Sequence, residues 1–249
     1  MPSWDRIVPA IDRDRAAASG YGRVAGFGER PAVLVIDVNV AFCGDRPEPI
    51  EDSVKRWRNS CGLVAWEAAD RIAVLLQGAR AKRVPIVYTT GFDPRPDGFD
   101  SGRGADKNAR RAEDLSADRA GGNEIIPAIA PRSGDLVVRK PKYSAFFGTP
   151  LLSYLIDLQV DTLLVCGTAT SGCVRATVVD AYQYNYRVSV IEECTFDRIE
   201  SSHAVSLFDM HLKHADVVSL EEACRYLDGV VGGLFDARMP SLRGARASR

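Results

Sequence analysis

Six short runs of aliphatic and β-branched residues, each separated from the next by helical or turn-rich chain, constrain this sequence more than any other feature. They are "AVLVIDVN" (32–39), "VPIVYTT" (84–90), "DLVVRK" (135–140), "DTLLVCG" (161–167), "RVSVIEE" (187–193) and "ADVVS" (215–219). Short apolar runs of this kind fit strands buried on both faces, as in parallel sheets. After the first, "LVAWEAADRIAVLLQGARAKR" sets Val64, Ala68, Ile72, Leu75, Leu76 and Ala79 at helix-face spacing. Further helices are expected over 149–159, from about residue 172, through 201–214 and over 220–230. Parallel neighbours need crossover helices, so the pattern predicts an α/β protein: a three-layer α/β/α, Rossmann-like fold around a six-stranded parallel sheet.

The 249 residues suit one domain, expected over 31–230, with a polar N-terminal arm at 1–30 placed to pack on another subunit and a loosely packed C-terminal tail over 231–249. Residues 91–131, opening "GFDPRPDGFDSGRGADK", read as a lid or an interface loop and lack the GxxxxGK[ST] arrangement of a phosphate cradle. With 32 Lys+Arg against 33 Asp+Glu, nothing in the charge balance points to nucleic acid. No apolar run is long enough for a membrane span and the polar start has no signal-peptide pattern, so a soluble, cytoplasmic protein is expected. The six cysteines, Cys43, Cys61, Cys166, Cys173, Cys194 and Cys224, form no CxxC and read as reduced thiols.

Open parallel sheets bind ligands beyond the carboxyl ends of their strands. Asp37 closes the first run, Lys140 the third, and the fourth leads through "GTATSG" to Cys173 at the start of a helix. Taken singly, Asp37 fits a helix cap or a turn, Lys140 a surface lysine beside Lys142, and Cys173 a small buried hydrophobe. Together they supply a base, a cation and a nucleophile for thiol chemistry on an amide. The helix N-terminus and a neighbouring ammonium are both expected to favour thiolate at Cys173.

Through "AVLVIDVNVAF", "VPIVYTT", "VVRKPKYSAFFGT" and "DTLLVCGTATSGCVRATVVDA", the chain resembles the isochorismatase-like cysteine hydrolases over residues 31–220. The resemblance implies a catalytic triad of Asp37, Lys140 and Cys173. It also implies a cis peptide between Thr168 and Ala169, with the amides of Ala169 and Cys173 as the oxyanion hole. Metal-dependent nicotinamidases of this family carry an Asp and two His after the second strand. Here all three histidines, His203, His211 and His214, lie near the C-terminus, so neither a metal nor any other cofactor is expected. Retention of the cysteine argues against the vinyl-ether hydrolysis of true isochorismatases.

"SAFFGT", "SGCVRATVVDA" and "ECTFDR" look most like the N-carbamoylsarcosine and maleamate amidase branch. What that implies is release of ammonia from a terminal carboxamide or ureido group of a small carboxylate-bearing substrate. Maleamate itself, or an uncharged amide as in a metal-free nicotinamidase, are the alternatives, and a binding protein without catalysis is the rival from another class. Arg198 is the implied holder of the substrate carboxylate; it reads equally as a surface arginine paired with Asp197 or Glu200. Phe42, Phe146 and Phe147 are candidates for the pocket wall, and equally for core or interface positions. The resemblance further implies a homo-oligomer, a dimer or tetramer.

Overall fold

The computed structural model describes residues 2–92, 103 and 121–239. Most of the expected lid or interface loop at 91–131 therefore lies outside the described residues.

The strands are β1 (Pro31–Ile36), β2 (Ile86–Thr90), β3 (Leu136–Arg139), β4 (Thr162–Gly167), β5 (Arg187–Thr195) and β6 (Asp216–Val218). They form one parallel sheet in the order β3-β2-β1-β4-β5-β6. The helices among the described residues are α1 (Ala10–Ala18), α2 (Val40–Cys43), α3 (Ile50–Arg56), α4 (Leu63–Ala81), α5 (Leu151–Asp157), α6 (Arg175–Gln183), α7 (Glu200–Lys213) and α8 (Leu220–Gly229).

Alternation along the strands builds the two outer layers. Leu34, Ile36, Leu163, Val165, Val188 and Val190 face one way and pack with Leu151 and Leu155 of α5, Val178 of α6, and Leu207 and Met210 of α7. Val33, Val35, Ile86, Tyr88, Leu164 and Cys166 face the other way, against Ile72, Leu75, Leu76 and Ala79 of α4 and Ala223 and Leu227 of α8. Within the expected apolar face of α4, Val64 departs: it is 44% exposed, in the first turn beyond the edge of the sheet contact.

The described parts of both ends pack on this chain's own core, and residues 240–249 of the expected tail lie outside the described residues. The arm packs on this chain's own core: Trp4 is buried, with its ring 5.4 Å from that of His211 and 6.1 Å from that of Phe208. The amides of Ala25 and Gly26 donate to the Asp216 carboxylate, and those of Glu29 and Arg30 to Asp161. Residues 231–239 are not loosely packed either. Phe235 is 1% exposed under the Arg30 guanidinium, which lies 4.8 Å from its ring centroid, and Asp236 pairs with Arg83 at 3.0 Å. In both segments a single large apolar residue, Trp4 or Phe235, joins the core from an otherwise polar stretch.

Strand order reverses between β1 and β4, which opens a crevice at the carboxyl edge of the sheet. Gly167 is what lets these two strands close. Its φ is +104°, and a Cβ there would stand 2.1 Å from the Ile36 carbonyl oxygen, the acceptor for the Thr168 amide at 2.8 Å.

Candidate active site

At that edge β1 delivers Asp37, β3 delivers Lys140 and the turn after β4 delivers Cys173. Since β2 lies between β1 and β3 and neighbouring strands are about 4.8 Å apart, a group starting from β3 needs a long side chain to reach the end of β1. Lysine has that length. Its Nζ sits 2.8 Å from Asp37 Oδ2, donates to Cys173 Sγ at 3.3 Å, and donates to the Lys142 carbonyl at 3.0 Å. Asp37, Lys140 and Cys173 are 2%, 7% and 6% exposed. The structure thus brings three residues from distant parts of the chain into one buried contact.

Asp37 has a φ of +52°, a conformation uncommon outside glycine, which turns its side chain off the strand axis. Its amide lies 3.2 Å from both the carbonyl and the hydroxyl of Thr89, and that hydroxyl donates to Asp37 Oδ1 at 2.8 Å. Two residues on, Asn39 caps α2 by accepting from the Phe42 amide and donates through Nδ2 to Thr90 Oγ1 at 2.9 Å.

The Thr168–Ala169 peptide is cis. Residues 170–174 then form one π-helical turn, and α6 follows from Arg175. The Val174 amide reaches back to the Ala169 carbonyl at 3.2 Å, while the Ala169 amide itself has no acceptor among the described residues. Three tethers hold this turn: Thr170 N–H to the Phe196 carbonyl (3.1 Å), Thr170 Oγ1 to His203 Nδ1 (2.8 Å), and Ser171 N–H and hydroxyl to Asp197 Oδ2 (2.9 and 2.7 Å). Asp197 and His203 in these roles, like Thr89 and Asn39, were missed by sequence reasoning. A polar pair at a strand end ("TT", 89–90) and the Asp of "ECTFDR" are the signals that point to them.

The electrostatics correct one expectation. Burial first, and then the Asp37 carboxylate, push the Cys173 thiol up to about 12, against the opposing pull of Lys140. Burial of the sulfur thus favours the thiol over the thiolate, against the pull of the nearby cation. For Lys140 burial is the largest influence and pulls downward, but Asp37 and Cys173 together raise it above an ordinary lysine, so it stays charged. The arrangement can therefore move a proton from sulfur to carboxylate beside a fixed positive charge.

A cavity of about 730 Å³ opens onto the three residues, its wall including Asn39, Phe42, Asn59, Asn123, Tyr143 and Phe147. Phe146 is not part of it, which corrects its candidacy. It is 6% exposed and packs toward α6 and β5, its ring 5.4 Å from that of Tyr184 and 6.3 Å from that of Tyr186. Its neighbour Phe147 takes the opposite side of the turn and is 61% exposed at the mouth. Arg198 does not line this cavity but a separate one of about 550 Å³, together with Asp197, Glu200 and His203. Its Nη2 donates to the Asn59 carbonyl at 2.7 Å, its guanidinium lies 5.8 Å from the Phe42 ring centroid, and its buried Nε has no partner among the described residues. It pairs with neither Asp197 nor Glu200; Asp197 instead accepts from the Arg198 backbone amide at 2.8 Å. No group of three or more His, Cys, Asp or Glu among the described residues is placed to hold a metal ion, and no described helix is long and apolar enough to cross a membrane.

Known proteins are similar to this chain in sequence or in fold. A maleamate amidohydrolase of Pseudomonas putida is 34% identical over 215 residues, spanning 85% of this chain and 93% of its own length. An N-carbamoylsarcosine amidase of an Arthrobacter species is 32% identical over 220 residues, spanning 85% and 76%. Among solved structures, a cysteine hydrolase of Pseudomonas syringae pv. phaseolicola superposes with a TM-score of 0.70 at 27% identity, covering 84% of this chain and 97% of that one. The family model described as the Isochorismatase domain matches residues 31–222, from the first residue of β1 into α8. With the six-stranded parallel sheet and the reversal point between β1 and β4 both inside that span, the chain belongs to the isochorismatase family of hydrolases.

Proposed function

We propose that this amidohydrolase releases ammonia from the terminal carboxamide or ureido group of a small carboxylate-bearing molecule, with Cys173 as nucleophile and Asp37 as proton carrier. The observation that carries this reading is the single lysine nitrogen in contact with both Asp37 Oδ2 and Cys173 Sγ in a buried site. Asp37 takes the thiol proton as sulfur attacks the carbonyl carbon. The amides of Ala169 and Cys173 are the donors for the tetrahedral oxyanion, and the unpaired Ala169 N–H supports that role. Asp37 returns the proton to the leaving nitrogen, and ammonia departs from a thioester or thiocarbamate. Asp37 then takes a proton from water, whose oxygen displaces the sulfur, and the thiol is restored. Throughout, Lys140 keeps the carboxylate and the passing charge on sulfur stable.

Arg198 is the proposed holder of the substrate carboxylate, reached past Phe42 and Asn59, both of which line the cavity. Its position behind those residues also favours a second reading, an amide without a carboxylate that never touches the guanidinium. Relatives named for maleamate and for N-carbamoylsarcosine support the first. The exposed Tyr143 and Phe147 at the mouth support a homo-oligomer that covers them, which sedimentation would measure.

The test is ammonia release from N-carbamoylsarcosine, other N-carbamoyl amino acids, maleamate and nicotinamide, with Cys173→Ala beside the wild type. Release from one carboxylate-bearing substrate, lost in the variant, supports the assignment. Undiminished activity in Cys173→Ala refutes it.

A further inference from the structure

We propose that Thr89, on β2, is the positioning residue for Asp37, a role that rests on the proton-carrying function given to Asp37 above. Thr89 pairs with Ile36 in the β1–β2 register, so it stands beside the last residue of β1 and meets Asp37 where the chain leaves the strand. One side chain there serves two ends of the same aspartate. The Thr89 hydroxyl accepts from the Asp37 amide at 3.2 Å and donates its only hydrogen to Oδ1 at 2.8 Å, as a group with one donor and two lone pairs can.

The two oxygens of Asp37 are thereby held from different strands, Oδ1 by Thr89 from β2 and Oδ2 by Lys140 from β3. Held at both oxygens, the carboxylate is fixed against rotation about Cβ–Cγ and keeps one constant face toward the sulfur. Thr89 is fully buried, so no water replaces its hydrogen bond if the hydroxyl is removed. Threonine suits the task better than a longer hydroxyl-bearing chain because branching at Cβ restricts χ1 and keeps the oxygen in place. Thr89 does not line the cavity and has no route to the substrate; its influence passes through Asp37.

Removing the hydroxyl leaves a buried carboxylate oxygen short of a donor and free to turn. Loss of a hydrogen bond to a charged group corresponds to a drop in kcat of about ten- to hundredfold. Because Thr89 touches no substrate, KM stays within about twofold.

The experiment compares Thr89→Val and Thr89→Ser with wild type in ammonia release. The kcat is expressed per folded protein, read from circular dichroism and urea denaturation against wild type, so that misfolded protein does not enter; Cys173→Ala separates alkylation of Cys173 from that of the other cysteines. The alkylation rate of Cys173 is followed separately, because it reads proton removal from sulfur without turnover. The expected result is a ten- to hundredfold loss of kcat and slower alkylation in Thr89→Val, with most of both restored in Thr89→Ser. Wild-type kcat in Thr89→Val, or an equal loss in Thr89→Ser despite its hydroxyl, overturns the role. In either case inactive Cys173→Ala and Asp37→Asn variants leave the underlying mechanism standing, whereas an active Cys173→Ala overturns the mechanism itself.

Discussion

Replacing Gly167 by alanine tests the link between strand packing and chemistry. The added Cβ would fall 2.1 Å from the Ile36 carbonyl oxygen and 2.7 Å from the Ile36 nitrogen, both backbone atoms of the central strand. Relieving the first contact to the roughly 3.3 Å of a close C···O approach separates β4 from β1 by about 1 Å. The φ of +104° is a further obstacle, since an alanine there is strained whatever room is made. Overpacking and an unfavourable backbone together cost about 2–5 kcal/mol of stability. Ile36 and Gly167 are also the last residues before Asp37 and the Thr168–Cys173 turn, so the same displacement pulls Asp37 and Cys173 apart, the proposed base and nucleophile. A shift of about 1 Å in reacting groups lowers the rate by about a hundredfold. Urea denaturation gives the first quantity, and ammonia release normalised to folded protein gives the second. A Gly167→Ala protein with wild-type stability and rate would refute the account of how the two strands set the site.

Lys140→Met leaves Asp37 buried without its partner, and is expected to cost about 3–5 kcal/mol in urea denaturation and to abolish ammonia release; a stable, active variant would show that the ion pair is dispensable. Arg198→Ala is expected to raise KM for a carboxylate-bearing substrate by about tenfold or more while leaving an uncharged amide such as nicotinamide unaffected; an equal change for both removes the carboxylate role. Burial holds the His203 imidazole below its usual range, against the pull of Asp197, Glu192 and Glu200. As pH falls below about 6.5 the unfolded chain therefore takes up a proton before the folded one does, and stability is lost there. Wild type should weaken more between pH 7 and about pH 5.5 than His203→Gln in paired denaturation curves, and parallel curves would contradict this. Phe235→Ala is expected to lower stability by about 3–5 kcal/mol with kcat per folded enzyme unchanged, and a negligible loss would return the segment to a loose tail.

The sheet was legible because its strands are nearly continuous apolar runs, and the placement of Asp37 and Lys140 followed from each being the first reactive residue past such a run. What escaped were properties of three-dimensional neighbours. Phe146 and Phe147 are identical in type and adjacent in sequence, and only the packing of Tyr184 and Tyr186 decides which turns inward. Trp4 and Phe235 sit in segments too polar to suggest core, yet both complete the layer that α5, α6 and α7 form on one face of the sheet. The protonation of Cys173 depends on how completely the site closes, which no local motif records. Thr89 escaped because threonine is an ordinary strand residue, and its hydroxyl gains a role only from the register that sets it beside Ile36.

The burial of Cys173 also bears on how the protein meets its surroundings. Peroxide and disulfides react with thiolates, and susceptibility follows both thiolate character and exposure. A thiol that burial pushes toward its protonated form, and that is 6% exposed, offers oxidants little of either. Slow reaction of the resting protein with peroxide, relative to free cysteine, is therefore the expected outcome, and rapid oxidation of Cys173 would contradict it.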